Sequence, residues 1–203
     1  MQFQNGHTFV CHHHLLTSHV RGLLHGANDD LSALAIKGNG EDLMFIDVSE
    51  KLTAPTRLPS IPSSLYTFTS TTLRPFTDTL TNPILVIPSI PSCLLALTGW
   101  LLEYPTIYVQ DSDQDAERCE WDSRGNCLGN VTLTVVRVKL LGGNDGRDHP
   151  LLSFSFPSDL VSATEAAGLV RKTEERYAAR AAGQQVWVGV GLEVESACLS
   201  FVA

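Results

Sequence analysis

The fold of this chain is decided by the stretch Pro83-Ile-Leu-Val-Ile-Pro-Ser-Ile-Pro-Ser-Cys-Leu-Leu-Ala-Leu-Thr-Gly-Trp-Leu-Leu-Glu-Tyr-Pro-Thr-Ile-Tyr-Val109. It contains an apolar run (84–87), a turn with two prolines, an apolar segment from Cys93 to Leu102 and a second run that begins at Thr106. Short apolar runs bounded by turn residues indicate buried strands, and Leu and Trp on nearly every face indicate a buried helix. The stretch therefore predicts a strand–helix–strand unit with parallel pairing and a right-handed crossover.

The same stretch raises the question of a transmembrane helix, because no residue from Thr79 to Leu102 is charged and about 20 apolar residues suffice to span a bilayer. Pro88 and Pro91 interrupt it, so the unbroken apolar helix is only the segment 93–102. We interpret the stretch as part of a protein core and expect no membrane association.

Composition indicates one soluble globular domain over residues 1–203, since 43% of the residues are hydrophobic and 18% are charged. A chain of this length buries enough surface to need no metal or disulfide. The formal net charge is −8, with 14 basic residues spread thinly against 22 acidic ones. Nucleic acids and anionic membranes bind clustered Lys and Arg, so we expect neither as a partner.

Five cysteines, at positions 11, 93, 119, 127 and 198, show no spacing of a disulfide framework. The start of the chain lacks the basic-then-apolar order of a secretory signal. Together these features predict reduced thiols and a cytoplasmic or nuclear location. No complete phosphate-binding glycine loop or nucleophile elbow is present, and we expect no cofactor.

Two further patterns predict β-hairpins. Gly38-Asn39-Gly40 lies between the runs Leu31–Lys37 and Asp42–Val48, and an Asn-Gly pair tolerates the positive φ of a tight turn. The alternating strand Val131–Leu141 is followed by a loop and then by Leu151–Phe156. The run from Leu43 to Val48 is apolar on both faces except at Asp47, which predicts a central strand.

Helices are predicted near both ends of the chain. Leu16, Val20, Leu23 and Leu24 share one helical face, and Ser158–Ala182 forms the longest helix, with Ser162 and Glu165 as a capping box. The segment Leu65–Leu73 is open between strand and helix, because its Tyr, Phe and Thr residues favour a strand.

The remaining segments complete the predicted fold. Residues 1–11 form a frayed or strand-like start, 51–64 and 111–129 form surface loops, and 186–194 form a last strand. The sum is a single α/β or α+β domain: a mixed sheet with one parallel strand–helix–strand unit, two hairpins and about three packed helices.

Four side chains follow predicted strands and are candidates for a catalytic site. Asp47 and Asp111 end apolar strands, while Ser89 and Cys93 lie where a strand turns into a helix. In open α/β sheets ligands bind at the carboxyl ends of strands, a helix N-terminus favours anions and lowers the pKa of a cysteine there, and carboxylates serve as bases. The alternative interpretation is a capping serine, a packed cysteine and two ordinary acidic residues.

Two groups of metal-ligating residue types do not have the spacing of a metal site. His12, His13, His14, His19 and His25 include no pair four residues apart, which a helical zinc pair needs. Cys119 and Cys127 are separated too widely for a zinc knuckle, and a second ligand pair is missing. We interpret the histidines of the first helical turn as solvated and expect no metal.

The chain resembles a known family at Leu97-Thr-Gly-Trp-Leu-Leu-Glu-Tyr-Pro-Thr-Ile-Tyr108, at Asn126-Cys-Leu128 and at the strand Val131-Thr-Leu-Thr-Val-Val-Arg-Val138. It is similar to uncharacterised protein family 0739, a eukaryotic domain of unknown function, over roughly residues 31–156. That family brings no established activity, cofactor or catalytic residue, so the resemblance implies no function.

The sequence leaves two main functions open, beside a minor third hypothesis in which the histidine-rich N-terminal helix binds a metal ion. The first is an acidic intracellular domain that acts through protein contacts without catalysis, since no catalytic or cofactor motif is complete. The second is a small hydrolase or transferase whose site lies at the strand ends, with Cys93, Asp47, Ser89 and Asp111 as its catalytic residues. The second hypothesis requires those four side chains to converge around a cleft.

Overall fold

The computed structural model of the protein describes residues 1–3, 8–25, 37–38, 41–79, 84–89, 91–110, 126–142, 146–184 and 187–198. The chain forms two compact units, Met1–Asn126 and Cys127–Ala203. Both combine helices with β-strands, and parallel and antiparallel pairs are both present, so the predicted mixed α/β class is confirmed. The extent of one domain over residues 1–203 stays a prediction.

The first unit combines short strands with helices. Its elements in chain order are β1 (Gln2–Phe3), α1 (His13–His25), β2 (Lys37–Gly38), β3 (Glu41–Asp42), β4 (Met44–Asp47), β5 (Thr56–Arg57), α2 (Ser63–Phe68), a π-helical turn (Thr69–Leu73), α3 (Arg74–Thr79), β6 (Val86–Ile87), α4 (Leu94–Leu101) and β7 (Thr106–Val109). Its largest sheet among the described residues has the strand order β5-β4-β7.

Strand β4 takes the central position that its sequence predicts. Met44, Phe45 and Ile46 are all buried, because β4 is covered on both faces. It pairs in parallel with β7 and antiparallel with β5. Strand β4, helix α4 and strand β7 therefore make up the parallel unit of the fold.

One detail of the predicted parallel unit is wrong. The sequence pairs the run 84–87 with the strand after α4, but β6 pairs in parallel with β1 instead, over two residues. The physical reason is burial: Ile84 and Val86 are both more than half exposed, whereas β4 is apolar on both faces. β7 therefore pairs with β4, because this pairing removes more apolar surface from water than pairing with β6 would.

The segment that the sequence leaves open between strand and helix is helical. Leu65, Thr69, Leu73 and Thr77 are buried at a spacing of four residues, which a helix places on one face. Burial at this spacing outweighs the strand propensity of the Tyr, Phe and Thr residues.

Helices α2 and α3 are joined by a turn of π-helix, in which the Arg74 N–H donates to the Thr69 carbonyl. Pro75 explains the wider turn. It offers no N–H to the carbonyl of Thr71, and its ring crowds that carbonyl.

The core of the first unit brings the helices and the central sheet together. Helix α1 packs against α3, and α4 packs against β7. Gly99 permits the second contact, because a Cβ there would lie 3.3 Å from Ile107 Cγ2. The predicted apolar face of α1 and the core of α4 are confirmed by the buried residues Leu16, Val20, Leu23, Leu24, Phe45, Ile61, Leu65, Leu73, Ile87, Cys93, Leu94, Ala96, Leu97, Trp100, Ile107 and Val109.

The predicted loops are only partly irregular. The segment 51–64 contains β5 and the first residues of α2, and its Pro55 and Ile61 are buried. Of the segment 111–129, residues 111–125 lie outside the described residues, and the remainder forms a turn. Within the described ranges, no helix is both long and apolar enough to cross a membrane.

The second unit is an antiparallel sheet with a long helix. Its elements are β8 (Thr132–Leu141), β9 (His149–Pro157), a 3₁₀ turn (Ser158–Leu160), α5 (Ala163–Ala181) and β10 (Gly189–Cys198), and the strand order is β10-β8-β9. Helix α5 packs against β10 and β8. Val136, Val138, Phe154 and Phe156 fill the buried face of the sheet.

The hairpins and the last helix follow the sequence closely. β8 pairs with β9, so the second hairpin is confirmed. The first hairpin is confirmed over two residue pairs of β2 and β3, whereas most of its second predicted strand is β4, which belongs to another sheet. Residues 31–36, the remainder of the first predicted strand, lie outside the described residues. The capping box of Ser162 and Glu165 is present, with α5 beginning directly after it. The last strand runs to Cys198, beyond the predicted end at Val194.

Candidate functional site

Asp47, the first of the four candidate residues, closes the end of β4. Its Oδ1 accepts a hydrogen bond from the Ser49 backbone N–H at 2.9 Å and another from the Ser49 hydroxyl. Ser49 is buried and forms an isolated antiparallel bridge with Asn126. A carboxylate that accepts from the residue two positions on stabilises a local turn, which accounts for Asp47 without a ligand.

The parallel pairing places one pair of strand ends together. Asp47 lies opposite Val109 in the β4–β7 register, and the Val48 N–H donates to the Val109 carbonyl at 2.9 Å. Asp111 follows two residues after Val109 and lies outside the described residues. Ser89 and Cys93 follow β6, which belongs to a different sheet. The strand pairing therefore unites the ends of β4 and β7 but not those of β4 and β6.

Cys93 lies directly before α4, where the sequence suggests an activated thiol. The side chain is only 5% exposed and belongs to the core of the first unit. Burial raises the pKa of the Cys93 thiol to about 11, more than the hydrogen bond with its own backbone lowers it. Because the thiolate is the nucleophile, a raised pKa disfavours nucleophilic chemistry at neutral pH. Ser89, by contrast, is exposed. The four-residue site stays a prediction.

The histidines at the start of α1 form a cluster of rings. The ring centroids of His13 and His14 lie 5.3 Å apart and those of His12 and His14 lie 5.9 Å apart. His13 Nε2 is 3.2 Å from the Thr17 hydroxyl. Among the residues that the structure describes, no three His, Cys, Asp or Glu side chains are grouped so that they could hold a metal ion.

A contact between His19 and Trp100 connects α1 with α4, and it was not predicted. The two rings are stacked, with centroids 4.3 Å apart and planes 19° apart, and His19 Nε2 donates to the Trp100 carbonyl at 2.8 Å. Trp100 is fully buried, and its indole Nε1 has no hydrogen-bond partner among the residues that the structure describes. The available signal was the position of His19, which is three residues after Leu16 and four before Leu23 on the apolar face.

The end of α4 explains the sequence pattern that carries the family resemblance. The Tyr104 N–H donates to the Gly99 carbonyl and the Glu103 N–H donates to the Trp100 carbonyl, both at 3.0 Å. These are the two hydrogen bonds of a Schellman motif. The motif also places a residue in the left-handed conformation just after the helix, and here that residue is Glu103, with φ 58°. The Gly-Trp-Leu-Leu-Glu-Tyr-Pro segment is therefore a helix end that feeds directly into β7.

In the second unit, one end of the sheet exposes apolar side chains. Val188 is 86% exposed and its N–H donates to the Leu141 carbonyl at the end of β8. On the other side of β8, His149 pairs with Leu140, and its ring lies edge-on against the half-buried Trp187 with centroids 5.0 Å apart. Leu151, two residues further along β9, is also exposed. We call Leu151, Trp187, Val188 and His149 the sheet-end patch.

Comparisons with known proteins give a family and no function. No curated protein matches the chain, and no solved structure matches it. The family model described as Domain of unknown function (DUF4504) matches residues 5–203, which include nearly all of both units. This agrees with the resemblance to an uncharacterised family and extends it into the last helix and strand. The chain therefore belongs to the DUF4504 family, a family of domains of unknown function.

Proposed function

We propose that this chain acts through contacts with other proteins and catalyses no reaction of its own. The observation that carries the proposal is the sheet-end patch of the second unit. Its Val188 side chain is almost fully exposed although the neighbouring backbone is held by β8. A rigid apolar surface costs free energy in water, and its burial by a partner recovers that cost.

The composition of the sheet-end patch supports the same proposal. Trp187 presents a large ring with a polar N–H, and aromatic residues of this kind are enriched at the centres of protein interfaces. The His149 ring lies edge-on against the indole, and a side chain that already has a packing partner loses less freedom on binding than one that rotates freely. Leu151 and Val188 are further exposed apolar side chains at this end of the sheet.

The experiment is affinity purification of the full chain from cell extract, comparing the natural sequence with Val188→Asp. We expect specific partners to be lost from the variant, because a carboxylate cannot enter an apolar interface without its desolvation cost. Val10→Asp is the matched control, since Val10 is 98% exposed in the first unit. Identical sets of retained proteins for all three chains would contradict the proposal.

We also propose that the protein resides in the cytoplasm or nucleus. Within the described part of the chain, Cys11, Cys93 and Cys198 form no disulfide, which suits a reducing compartment. Fractionation of cells that express the untagged chain tests this. Recovery in the cytosolic or nuclear fraction is the expected result, and recovery in secreted medium would contradict it.

A further inference from the structure

Besides the sheet-end patch, the second unit has another surface that can bind a partner, namely the outer edge of β10. β10 has ten residues and stands at the end of the strand order β10-β8-β9. All ten pair with β8 on the inner side, and within the described part of the chain β8 is the only strand that pairs with β10. An edge strand directs alternate backbone N–H and C=O groups outward, where another strand can bind them.

The two edges of this sheet are not equivalent. β9, at the opposite edge, contains Pro150 and Pro157, which have no N–H to donate to an added strand. The sequence of β10, Gly189-Val-Gly-Leu-Glu-Val-Glu-Ser-Ala-Cys198, contains no proline. β10 therefore has a complete set of backbone donors and acceptors.

On the polar face of the sheet, β8 carries basic side chains and the neighbouring β10 carries acidic ones. Arg137 and Lys139 on β8 form ion pairs with Glu195 and Glu193 on β10. The two glutamate side chains nevertheless remain 48% and 58% exposed, respectively. A row of basic side chains on β8 is thus followed by a row of acidic side chains on β10, whose carboxylates stay accessible to solvent.

The opposite face of β10 offers an apolar contact. Val194 is 54% exposed, although its partner on β8, Val136, is fully buried. Val194 lies between the two glutamates in sequence and points away from them, because side chains alternate along a strand.

We propose that the outer edge of β10 binds an extended segment of another protein, which adds a fourth strand to the sheet. The bound segment has basic residues opposite Glu193 and Glu195 and an apolar residue opposite Val194. Its backbone provides most of the affinity, and the alternating basic and apolar side chains provide the specificity. This inference rests on the proposed function, since it names one mode of protein contact.

Charge argues against a second copy of this chain as the occupant. Antiparallel pairing of two β10 strands about Val194 would set Glu193 of each copy opposite Glu195 of the other on the same face. Like charges directly opposite are destabilising, and two chains of net charge −8 repel each other in general. A partner segment with Lys or Arg at those positions instead continues the alternation of charge across the sheet.

The probe is a fluorescein-labelled peptide, Gly-Lys-Val-Lys-Val-Lys-Val-Lys-Gly, titrated with the full chain and followed by fluorescence anisotropy. A matched peptide has Glu in place of every Lys. We expect the lysine peptide to bind and the glutamate peptide not to bind. In Glu193→Lys/Glu195→Lys we expect the preference to reverse, with affinity for the lysine peptide about tenfold lower, because two attractive cross-strand pairs become repulsive.

The control separates strand pairing from general charge attraction. Glu174→Lys/Glu175→Lys changes the net charge by the same amount on the exposed face of α5, and it removes a comparable ion pair, Arg171–Glu175. We expect it to bind the lysine peptide like the natural chain. Equal weakening in both variants, binding of both peptides alike, or binding of neither would overturn the proposal.

Hydrogen exchange distinguishes strand pairing from charge attraction, because charge attraction alone would not protect particular backbone amides. With the lysine peptide bound, the amides of 189–198 that face outward are expected to exchange more slowly, while those of α5 stay unchanged. If the peptide fails to bind while Val188→Asp still loses its cellular partners, the edge proposal fails and the proposed function stands. If the peptide binds but no cellular partner depends on the sheet-end patch, the patch proposal fails and the edge proposal stands.

Discussion

Glu103 shows how a single residue ends a helix at an energetic cost. Its φ of 58° lies in the left-handed region, where an L-residue is disfavoured by roughly 1–2 kcal/mol because its Cβ crowds the following carbonyl. The Schellman hydrogen bonds of Tyr104 and Glu103 hold the backbone there. Glycine is the residue that this position ordinarily selects.

Two substitutions at this position are expected to differ in stability. Glu103→Gly should leave the free energy of unfolding unchanged or raise it by up to about 1 kcal/mol, whereas the β-branched Glu103→Val should lower it by about 1–2 kcal/mol. Denaturant unfolding of the two variants measures the difference. Glycine that is less stable than valine would show that the left-handed conformation is not the deciding factor.

His19 is expected to contribute to stability through its contact with Trp100. His19→Ala removes both the hydrogen bond to the Trp100 carbonyl and the stacked ring, so the free energy of unfolding should fall by about 1–3 kcal/mol. The control is His14→Ala, whose side chain is exposed and whose loss should change stability by less than about 0.5 kcal/mol. Equal effects in thermal or chemical unfolding would argue against the coupling of α1 to α4.

At the scale of elements, α5 begins where its capping box places it. The Glu165 N–H donates to the Ser162 hydroxyl and Glu165 Oε2 accepts from the Ser162 N–H at 3.0 Å. Ser162→Ala should therefore cost about 1 kcal/mol, and Ser162→Asp should retain most of the stability. Chemical unfolding measures both. A full loss with aspartate would mean that the side chain does more than cap the helix.

The elements themselves were largely readable from the sequence, for physical reasons that differ from one to another. The apolar face of α1 and the capping box of α5 are local patterns, and local patterns survive in the folded chain. The sequence leaves the segment Leu65–Leu73 open between strand and helix because its residue types favour a strand, and only burial at four-residue spacing makes it helical. Strand pairing was least readable: β6 and β7 flank the same helix yet belong to different sheets.

At the scale of the whole molecule, the buried Cys93 thiol makes the free energy of unfolding depend on pH. Its pKa rises from an ordinary value of 9.0 to about 11, chiefly because burial disfavours the charged form. The unfolded chain then loses this proton first. The contribution of Cys93 to the free energy of unfolding is complete below about pH 9 and is lost as the pH rises toward 11, with a total of about 3 kcal/mol for this difference in pKa.

Urea unfolding at several pH values between 8 and 11 tests this linkage. The natural chain should lose stability steadily above pH 9, and Cys93→Ala should lose distinctly less over the same range. Cys198→Ala, which alters an exposed thiol, should behave like the natural chain. An alkaline decline that is identical in all three chains would assign the effect to other groups.

The candidate site could be proposed from the sequence only as a list of residues. The sequence correctly places Asp47 at the end of a buried strand, but it does not show that the Asp47 carboxylate accepts hydrogen bonds from Ser49. Cys93 was correctly placed before α4, but its burial, which raises the pKa, depends on neighbours from distant parts of the chain. The type of a residue can be read directly from the sequence, whereas the solvent exposure of its side chain depends on residues far away in the chain.

What the sequence determined by itself was the set of local structures: the apolar helix α4 between its prolines, the two hairpins, the capping box and the mixed α/β class. Periodicity, turn chemistry and capping act over a few residues, so they can be read from the chain alone. Only the tertiary structure decided that the stretch 83–109 supplies strands to two sheets, with β7 next to β4 and β6 next to β1. Pairing and burial depend on which distant surface removes the most apolar area from water, and that competition is settled only when the whole chain folds.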